Sequence, residues 1–250
     1  MTLKVDVAVC CHKNSIILKS DCLIPIQNGR AIANVKLDMR GDDTGDNISK
    51  YKEYYGEGSS IYWMWKNSDA DIKGITQYRR YLNLNNKTDI FVKYSSIQTE
   101  SEESKVAAKY GITSKNIIRL LEKYDVLTLR HDNTQDFFFG NVEEQFKASH
   151  TSWIWDKALQ VIKNQNSEFY SYVLKAQKKN KMIFKNMFIA NKDIFNEICE
   201  NSIGLTEKLR EQIDLSYPEF NDGCKSTSRV LGFVLERLVG LYILYLQKKG

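Results

Sequence analysis

The sequence predicts an α/β fold, with a sheet of mainly parallel strands and a mostly helical C-terminal part. Leu3–Cys11 is short, apolar and rich in β-branched residues, which predicts a buried strand at the start of the sheet. Helical spacing over about Lys50–Asn67 and a second apolar run, Asp71–Thr76, follow it. Alternating strands and helices of this kind form parallel sheets that bind ligands beyond the carboxyl ends of their strands.

The later elements are shorter and more helical. The sequence predicts a helix capped by Ser114 and running to Lys123, a strand over Tyr124–Leu129, helices from Asn141 onward, a strand within Met182–Ala190 and a last helix over about Ser228–Lys248. The polar stretch Asn83–Lys115 predicts a flexible insertion. We expect a single domain over residues 1–250, with an α/β part over 1–140 and a mostly helical part over 141–250.

The composition restricts the class of protein. The chain is 42% hydrophobic and 27% charged, as ordinary soluble globular proteins are, and no apolar segment reaches the uninterrupted length of about 18 residues that a spanning helix needs. The N-terminus lacks the basic start and cleavage site of a signal peptide, and the five cysteines form no CxxC, so we expect reduced thiols in a cytoplasmic protein. The net charge of +5 fits a phosphate-bearing ligand, an anionic membrane surface or a merely solvated surface, and is too small for a dedicated nucleic-acid binder.

Polar residues follow both predicted strands of the first part. His12 and Lys13 come after the first strand, where a base or phosphate would bind, although a lone histidine is more often structural. Tyr78, Arg79 and Arg80 come after the second strand, and two guanidinium groups beside an aromatic ring suit a diphosphate. Surface ion pairs with nearby aspartates are the alternative interpretation of the arginines.

Two carboxylate motifs are candidates for chemistry. In the loop from Asp42 to Asn47, the carboxylates of Asp42, Asp43 and Asp46 can hold a hard cation, bind sugar hydroxyls or supply a general base. A solvated turn that caps the next helix is the alternative. Asp69-Ala70-Asp71 is a DxD motif, but it precedes its strand instead of following it, which predicts a helix-to-strand turn.

The last predicted helix carries a charged stripe. Arg229, Gly232, Phe233, Glu236 and Arg237 are spaced by three and four residues and share one face. Burial of such charges is unfavourable unless they are paired, so we expect this face to line a crevice or to form a polar network. An amphipathic helix with its polar side in water is the alternative. The apolar tail before Lys248 and Lys249 leaves a membrane contact open, with core packing favoured.

The chain resembles the DUF4422 family in blocks that run in the family's order. These blocks are Cys11-His12-Lys13, Pro25-Ile26, Asp42 to Ser49, Tyr62 to Asn67, Gly74 to Tyr81, Gln145 to His150, Asn186 to Ile189 and Arg229 to Leu238. Gln77 stands where the family usually has His, Leu82 stands where it has Phe, and the segment 83–115 is longer than usual.

The resemblance implies a GT-A-like fold and a glycosyltransferase that uses a UDP-sugar to build capsule, exopolysaccharide or lipopolysaccharide. We expect transfer of a galactose-type hexose, as pyranose or furanose, with inversion. On this basis the donor-binding residues are predicted to be His12, Lys13, Asn47, Tyr78, Arg79, Arg80 and Asn186. The residues at or behind the acceptor are predicted to be Trp65, His150, Arg229, Glu236 and Arg237.

The predicted mechanism uses the two arginines at the leaving group. Arg79 and Arg80 neutralise the departing diphosphate, so we predict no metal ligands and no required cofactor, with Mn²⁺ or Mg²⁺ left open. One carboxylate among Asp42, Asp43 and Asp46 deprotonates a saccharide or lipid-linked saccharide acceptor, which would bring the enzyme peripherally to the inner membrane face. A non-catalytic scaffold of a polysaccharide assembly complex and, less favoured, a nucleic-acid-binding module are the alternatives.

Overall fold

The computed structural model of the chain describes residues 3–85, 91–93, 100–221, 223 and 225–249. The strands are β1 (Val5–Cys11), β2 (Leu23–Gln27), β3 (Arg40–Gly41), β4 (Ile72–Gln77), β5 (Arg80–Leu82), β6 (Phe91–Lys93), β7 (Val126–Thr128), β8 (Asp132–Asn133), β9 (Lys181–Met182) and β10 (Phe188–Asn191). The helices are α1 (Lys52–Tyr55), α2 (Gly58–Asn67), α3 (Glu100–Lys109), α4 (Ser114–Leu121), α5 (Val142–Ser149), α6 (Ser152–Gln165), α7 (Ser167–Ala176), α8 (Lys192–Cys199), α9 (Leu205–Arg210), α10 (Lys225–Ser228) and α11 (Val230–Lys249). A π-helical segment, Glu200–Gly204, joins α8 to α9.

The chain folds into two compact units, and neither is a continuous stretch of sequence. The first unit comprises Met1–Lys52, Ser59–Arg130 and Met187–Asn196. The second comprises Glu53–Gly58, His131–Asn186 and Glu197–Gly250. The sequence-based division at residue 140 differs from these boundaries. Residues 53–58 precede residue 140 but belong to the second unit, and residues 187–196, which include β10, follow it but belong to the first unit.

A mixed sheet forms the centre of the first unit. Among the described residues eight strands join in it, in the order β3-β2-β1-β4-β10-β7, with β5 and β6 added beside β4. The strands β2 and β4 run parallel to β1, and β3 runs parallel to β2, so four strands end at one edge. The strand β10 is antiparallel to β4 and β7. The predicted α/β fold with a mainly parallel sheet is therefore confirmed.

Three predicted elements differ in detail. The helix predicted over Lys50–Asn67 is divided, because Gly56 has a φ of 59° that no right-handed helix allows. The flexible insertion predicted over Asn83–Lys115 is wrong for its second half, since α3 and the start of α4 occupy it and Ala107 and Ile112 are buried. Residues 86–90 and 94–99 of that insertion lie outside the described residues. The strand predicted within Met182–Ala190 is instead two short strands, β9 and β10.

Helix α11 is the core helix of the second unit. It packs against α6, α7, α9 and the π-helical segment. Among the described residues it is the one helix whose length and apolar composition would allow it to cross a membrane, yet 67% of its apolar window is buried inside the protein. Its tail residues Leu238, Leu241 and Tyr242 are buried as well, which favours core packing over contact with a membrane.

Candidate active site

Four loops meet at the carboxyl edge of the sheet in the first unit. Because β1 to β4 are parallel along this edge, His12, Asn28, Asp42 and Tyr78 each directly follow a strand. The loops are fixed to neighbouring strands by backbone hydrogen bonds, from Asn28 N to Cys11 O (2.8 Å), from Asp42 N to Gln27 O (3.2 Å) and from Tyr78 N to Cys10 O (3.2 Å). The sheet thus places the sequence-predicted donor-binding residues after β1 and β4 at one edge.

Asp42 is a buried carboxylate that accepts hydrogen bonds from the loops at this edge of the sheet. It is fully buried, with Oδ2 accepting from Gly29 N at 2.8 Å and Oδ1 accepting from Arg30 N at 3.1 Å. The hydroxyl of Ser49 also donates to Oδ1, at 2.5 Å. A carboxylate with no exposed surface and three donors is held as an acceptor for the backbone. These contacts favour a role for Asp42 in positioning the loop over the catalytic role that the sequence predicts, and that role stays a prediction.

The rest of the acidic loop is more open. Asp43 is partly buried, with Oδ1 4.0 Å from Nε of Arg30. Asp46 is exposed and accepts a hydrogen bond from the hydroxyl of Tyr62 at 3.0 Å. Asn47 uses its amide in the turn, donating to Gly45 O at 2.9 Å and accepting from Ser49 N at 3.2 Å. The loop therefore combines a turn of the Asx type with two carboxylates that keep exposed surface.

The tight turn between β4 and β5 carries the two predicted arginines. Arg79 is exposed and its guanidinium carbon lies 5.2 Å from the ring centre of Tyr78. The ring of His12 meets the edge of the same tyrosine, with centroids 5.2 Å apart. Arg80 lies in β5, and its Nη1 donates to Oε1 of Gln77 at 3.3 Å. The two guanidinium groups thus have different partners. Arg79 is the exposed one, and it shares the buried ring of Tyr78 with His12.

A second polar cluster lies within the second unit, around two residues of left-handed backbone. Lys185 and Asn186 have φ values of 81° and 51°, which non-glycine residues adopt at a cost of about 1–2 kcal/mol each. The N–H of Lys185 donates to Oε1 of Glu236 at 2.8 Å, and its Nζ lies 3.3 Å from Asp132. Strained backbone of this kind persists only where surrounding contacts hold it. In this conformation the side-chain amide of Asn186 reaches the carboxylate of Glu57.

Glu57 is the carboxylate that the sequence analysis did not select. Nδ2 of Asn186 donates to its Oε1 at 3.4 Å. Burial of the carboxyl group, followed by the negative charge of Glu236, raises the pKa of Glu57, and Asn186 and the positive charge of Arg229 act in the opposite direction. Asn186 is 4% exposed, and its Oδ1 has no hydrogen-bond partner within the described part of the chain. A carboxylate with a raised pKa beside an unused acceptor is typical of a functional site.

Arg237 connects this cluster to the end of α5. It is 2% exposed, and burial lowers its pKa while Glu236 opposes the shift. Its Nη1 lies 2.6 Å from Glu236, and its Nη2 donates to Gln145 at 2.5 Å and lies 3.4 Å from Nε2 of His150. The ring of His150 stacks on Phe233 with centroids 3.8 Å apart. The polar network expected for α11 is present, and it brings together His150, Glu236 and Arg237, with Asn186 next to Lys185, whose N–H Glu236 accepts. Arg229 precedes α11 and is exposed, and its positive charge acts on Glu57.

Two further candidates lie in the first unit. Trp65 is partly buried, and the ammonium of Lys66 lies 3.4 Å from its ring centre. The DxD residues Asp69 and Asp71 bind Lys4, through its side chain and its backbone N–H respectively, before β1 and β4 begin. They therefore lie at the opposite end of these strands from His12 and Tyr78. Among the described residues no three His, Cys, Asp or Glu side chains converge as metal ligands.

The family model described as "Domain of unknown function (DUF4422)" matches residues 6–249. The chain belongs to the DUF4422 family. The solved apo structure of WbbM, a bifunctional glycosyltransferase, is similar to this DUF4422 chain with a TM-score of 0.85 and 25% sequence identity. The match covers 99% of this chain and 43% of WbbM, so the chain spans less than half the length of that protein. No curated protein matches the DUF4422 chain.

Proposed function

We propose that this DUF4422 chain is a glycosyltransferase with a GT-A-like fold, which transfers a galactose-type hexose from a UDP-sugar to a hydroxyl group of a saccharide acceptor. The observation that carries the proposal is the fold similarity to a glycosyltransferase over 99% of the chain. WbbM is bifunctional and the match covers 43% of it, so we propose a single transferase activity for this chain. Surface polysaccharide biosynthesis is the process that the family resemblance suggests.

The donor diphosphate is assigned to the carboxyl edge of the sheet. Lys13, Arg79 and Arg80 supply positive charge there, and His12 supplies an exposed ring for the nucleotide. Tyr78 is buried and supports His12 and Arg79 from below. As the bond from the anomeric carbon to the diphosphate oxygen breaks, negative charge develops on the leaving group, and fixed cations stabilise it. Asp43 and Asp46 are assigned to hydroxyl groups of the donor sugar, and Asp42 to the structure of their loop.

The acceptor is assigned to the polar cluster of the second unit. Glu57 is the carboxylate of this unit that we assign to take the proton from an acceptor hydroxyl, as an inverting transfer requires. A raised pKa makes Glu57 a stronger base than an exposed glutamate. Asn186 orients Glu57 through Nδ2 and offers Oδ1 to a second acceptor hydroxyl. Arg237 holds Glu236, and Glu236 holds the backbone of Lys185 in place.

The proposal is tested by measuring UDP release from a panel of UDP-sugars with mono- and oligosaccharide acceptors, with and without EDTA. We expect one galactose-type donor to be consumed only in the presence of an acceptor, and UDP to be bound in EDTA. A scaffold would release no UDP from any donor. Binding that needs Mn²⁺ would move the leaving-group role from the arginines to a metal ion.

A further inference from the structure

The loop that follows β1 lines an open cavity in the first unit. The cavity has a volume of about 590 Å³ and is bounded by residues 14–19, by Pro25 of β2 and by Glu103 of α3. Pockets that hold small molecules typically have volumes of about 300–1,000 Å³. The wall of the cavity begins at the residue directly after Lys13, one of the cations assigned to the donor diphosphate. A nucleotide with its phosphates at Lys13 can therefore extend its base into this cavity.

Glu103 is a buried carboxylate in the wall of the cavity. It is 7% exposed and lies on the inward face of α3, together with the half-buried Val106 and the buried Ala107. Burial of a carboxylate is unfavourable unless it is hydrogen-bonded. Its Oε2 lies 3.7 Å from Nζ of Lys19, which is longer than a hydrogen bond, and no hydrogen bond within the described part of the chain reaches it. The carboxylate of Glu103 is thus available as an acceptor for a ligand.

Both walls of the cavity are fixed by hydrogen bonds. In the loop after β1, Leu18 N donates to Oη of Tyr81 at 3.3 Å. The hydroxyl of Ser20 in the same loop donates to Ile112 O at 2.5 Å. The end of α3 is tied to the same residue, since Ile112 N donates to Ala107 O at 2.9 Å. The ammonium of one wall and the carboxylate of the other are therefore presented side by side.

We propose that this cavity holds the uracil base of the donor, and that Lys19 and Glu103 recognise its imide edge; the inference rests on the proposed UDP-sugar donor. Uracil presents a carbonyl oxygen beside an N–H, so Lys19 donates to the oxygen and Glu103 accepts from the N–H. Cytosine presents an amino group beside an unprotonated nitrogen, so donor would face donor and acceptor would face acceptor. Ile16, which is 42% exposed, and Pro25 offer apolar surface to the faces of the ring.

The experiment is isothermal titration of the full chain with UDP, CDP, dTDP and GDP in buffer that contains Mn²⁺. We expect UDP to bind at least about tenfold more tightly than CDP, because a site built for one hydrogen-bonding edge rejects the opposite one. The amide of Glu103→Gln can donate to the ring nitrogen of cytosine, so this variant should bind UDP about tenfold more weakly and lose most of its preference over CDP. Glu122→Gln changes an exposed carboxylate of the same unit and is the matched control with an unchanged preference.

The ratio of the UDP and CDP affinities separates recognition of the base from a structural role. Loss of a merely structural carboxylate would lower the melting temperature and weaken both nucleotides by the same factor. Lys19→Met changes a side chain that is 51% exposed, and it should lower the same ratio without loss of stability. This second variant keeps the proposal testable if Glu103→Gln does not fold.

The outcomes also distinguish this inference from the proposed function. An unchanged preference for UDP over CDP in Glu103→Gln and in Lys19→Met would overturn the assignment of the base, while the proposed transferase would stand. Tighter binding of dTDP or GDP than of UDP would overturn the choice of uracil. Absence of binding of all four nucleotides to the folded, unchanged chain would contradict the proposed function itself, and the inference with it.

Discussion

The side-chain amide of Asn186 donates to the carboxylate of Glu57 across 129 residues of sequence, and its oxygen is left without a partner in the described part of the chain. The amide is fixed by backbone with a φ of 51°, and the carboxylate follows Gly56, whose φ of 59° interrupts a helix. Both groups are therefore positioned by backbone conformations that ordinary secondary structure avoids.

Two replacements of Asn186 distinguish the effect of losing its side-chain amide from the effect of straining its left-handed backbone. Asn186→Gly retains the left-handed backbone and removes the amide, whereas Asn186→Ala removes the amide and adds strain of about 1 kcal/mol. We expect both variants to lose at least tenfold in the rate of sugar transfer, with only Asn186→Ala losing stability. UDP binding, measured by thermal shift, is expected to be unchanged in both. Full activity of Asn186→Gly would exclude a role for the amide.

Glu57→Gln is expected to have opposite effects on stability and activity. The pKa of Glu57 is raised above its ordinary 4.5, so its contribution to stability is present below that value and is lost as the pH rises through the raised pKa. Glu57→Gln should therefore match the unchanged chain in melting temperature at pH 4 and exceed it at pH 8. Transfer requires the deprotonated carboxylate, so the rate of the unchanged chain should rise over this interval and that of the variant should stay about 100-fold lower.

Two comparisons test this assignment of Glu57. Glu211→Gln changes a 67% exposed carboxylate in the same unit and is expected to alter neither profile. Glu57→Ala supplied with azide should form a glycosyl azide, because azide attacks the anomeric carbon as UDP leaves and no proton has to be removed. If azide restores no turnover while the unchanged chain transfers sugar, Glu57 is not the base.

Gly232→Ala tests how α11 is kept close to the segment before Glu57. A Cβ at this position would lie 2.7 Å from the backbone oxygen of Tyr55, which cannot move as a side chain can. Alanine favours a helix by about 1 kcal/mol over glycine, but overpacking against backbone costs about 1–3 kcal/mol. We expect a net loss of stability in urea unfolding and a larger loss of transfer. An alanine variant as stable and active as the unchanged chain would contradict the close approach.

Arg79→Ala and Arg80→Ala are both expected to weaken UDP binding, but only Arg80→Ala is expected to lower the melting temperature. Arg79 is exposed in a turn and contacts the ring of Tyr78, so its loss should weaken UDP binding about tenfold without a change in melting temperature. Arg80 is part of β5 and bonded to Gln77, so its loss should lower both affinity and stability. Isothermal titration in EDTA, with thermal melting, measures both effects. Identical results for the two variants would contradict the different partners that the structure gives them.

Asp42→Asn and Asp46→Asn test the two roles within the acidic loop. Asp42 is buried with three donors, so weakening these charge-assisted hydrogen bonds should lower the free energy of unfolding by about 2–3 kcal/mol. Asp46 is exposed, and its replacement should change stability by less than about 0.5 kcal/mol. Chemical denaturation measures both variants. A stable, inactive Asp42→Asn would restore the catalytic role that the sequence alone predicts for Asp42.

Local patterns account for what the sequence predicted well. The apolar runs at β1 and β4 fix two central strands, and the rule for parallel sheets then places His12 and Tyr78 at one edge, as the structure does. The spacing along α11 likewise predicts that Glu236 and Arg237 join a polar network, and they do. These predictions depend on periodicity within one segment, which the sequence contains in full.

Contacts between distant segments account for what the sequence did not show. Asp42 and Asp46 look alike in sequence, and what distinguishes Asp42 is its burial and its hydrogen bonds from Gly29 N, Arg30 N and the hydroxyl of Ser49. Glu57 lies in a stretch with helical spacing, so nothing but the preceding Gly56 marks it as unusual. Its neighbours Asn186 and Glu236 follow it by more than a hundred residues, and no pattern within one segment can connect them.

The interleaving of the two units bears on how the polypeptide can be divided. The first unit needs three separate stretches of chain, and the second needs the three stretches that remain. A single cleavage after residue 130 would leave each fragment without part of its own core, since β10 would be lost from the sheet and the residues around Glu57 from the helical unit. Neither fragment should fold alone, so simple recombination of halves between relatives is disfavoured.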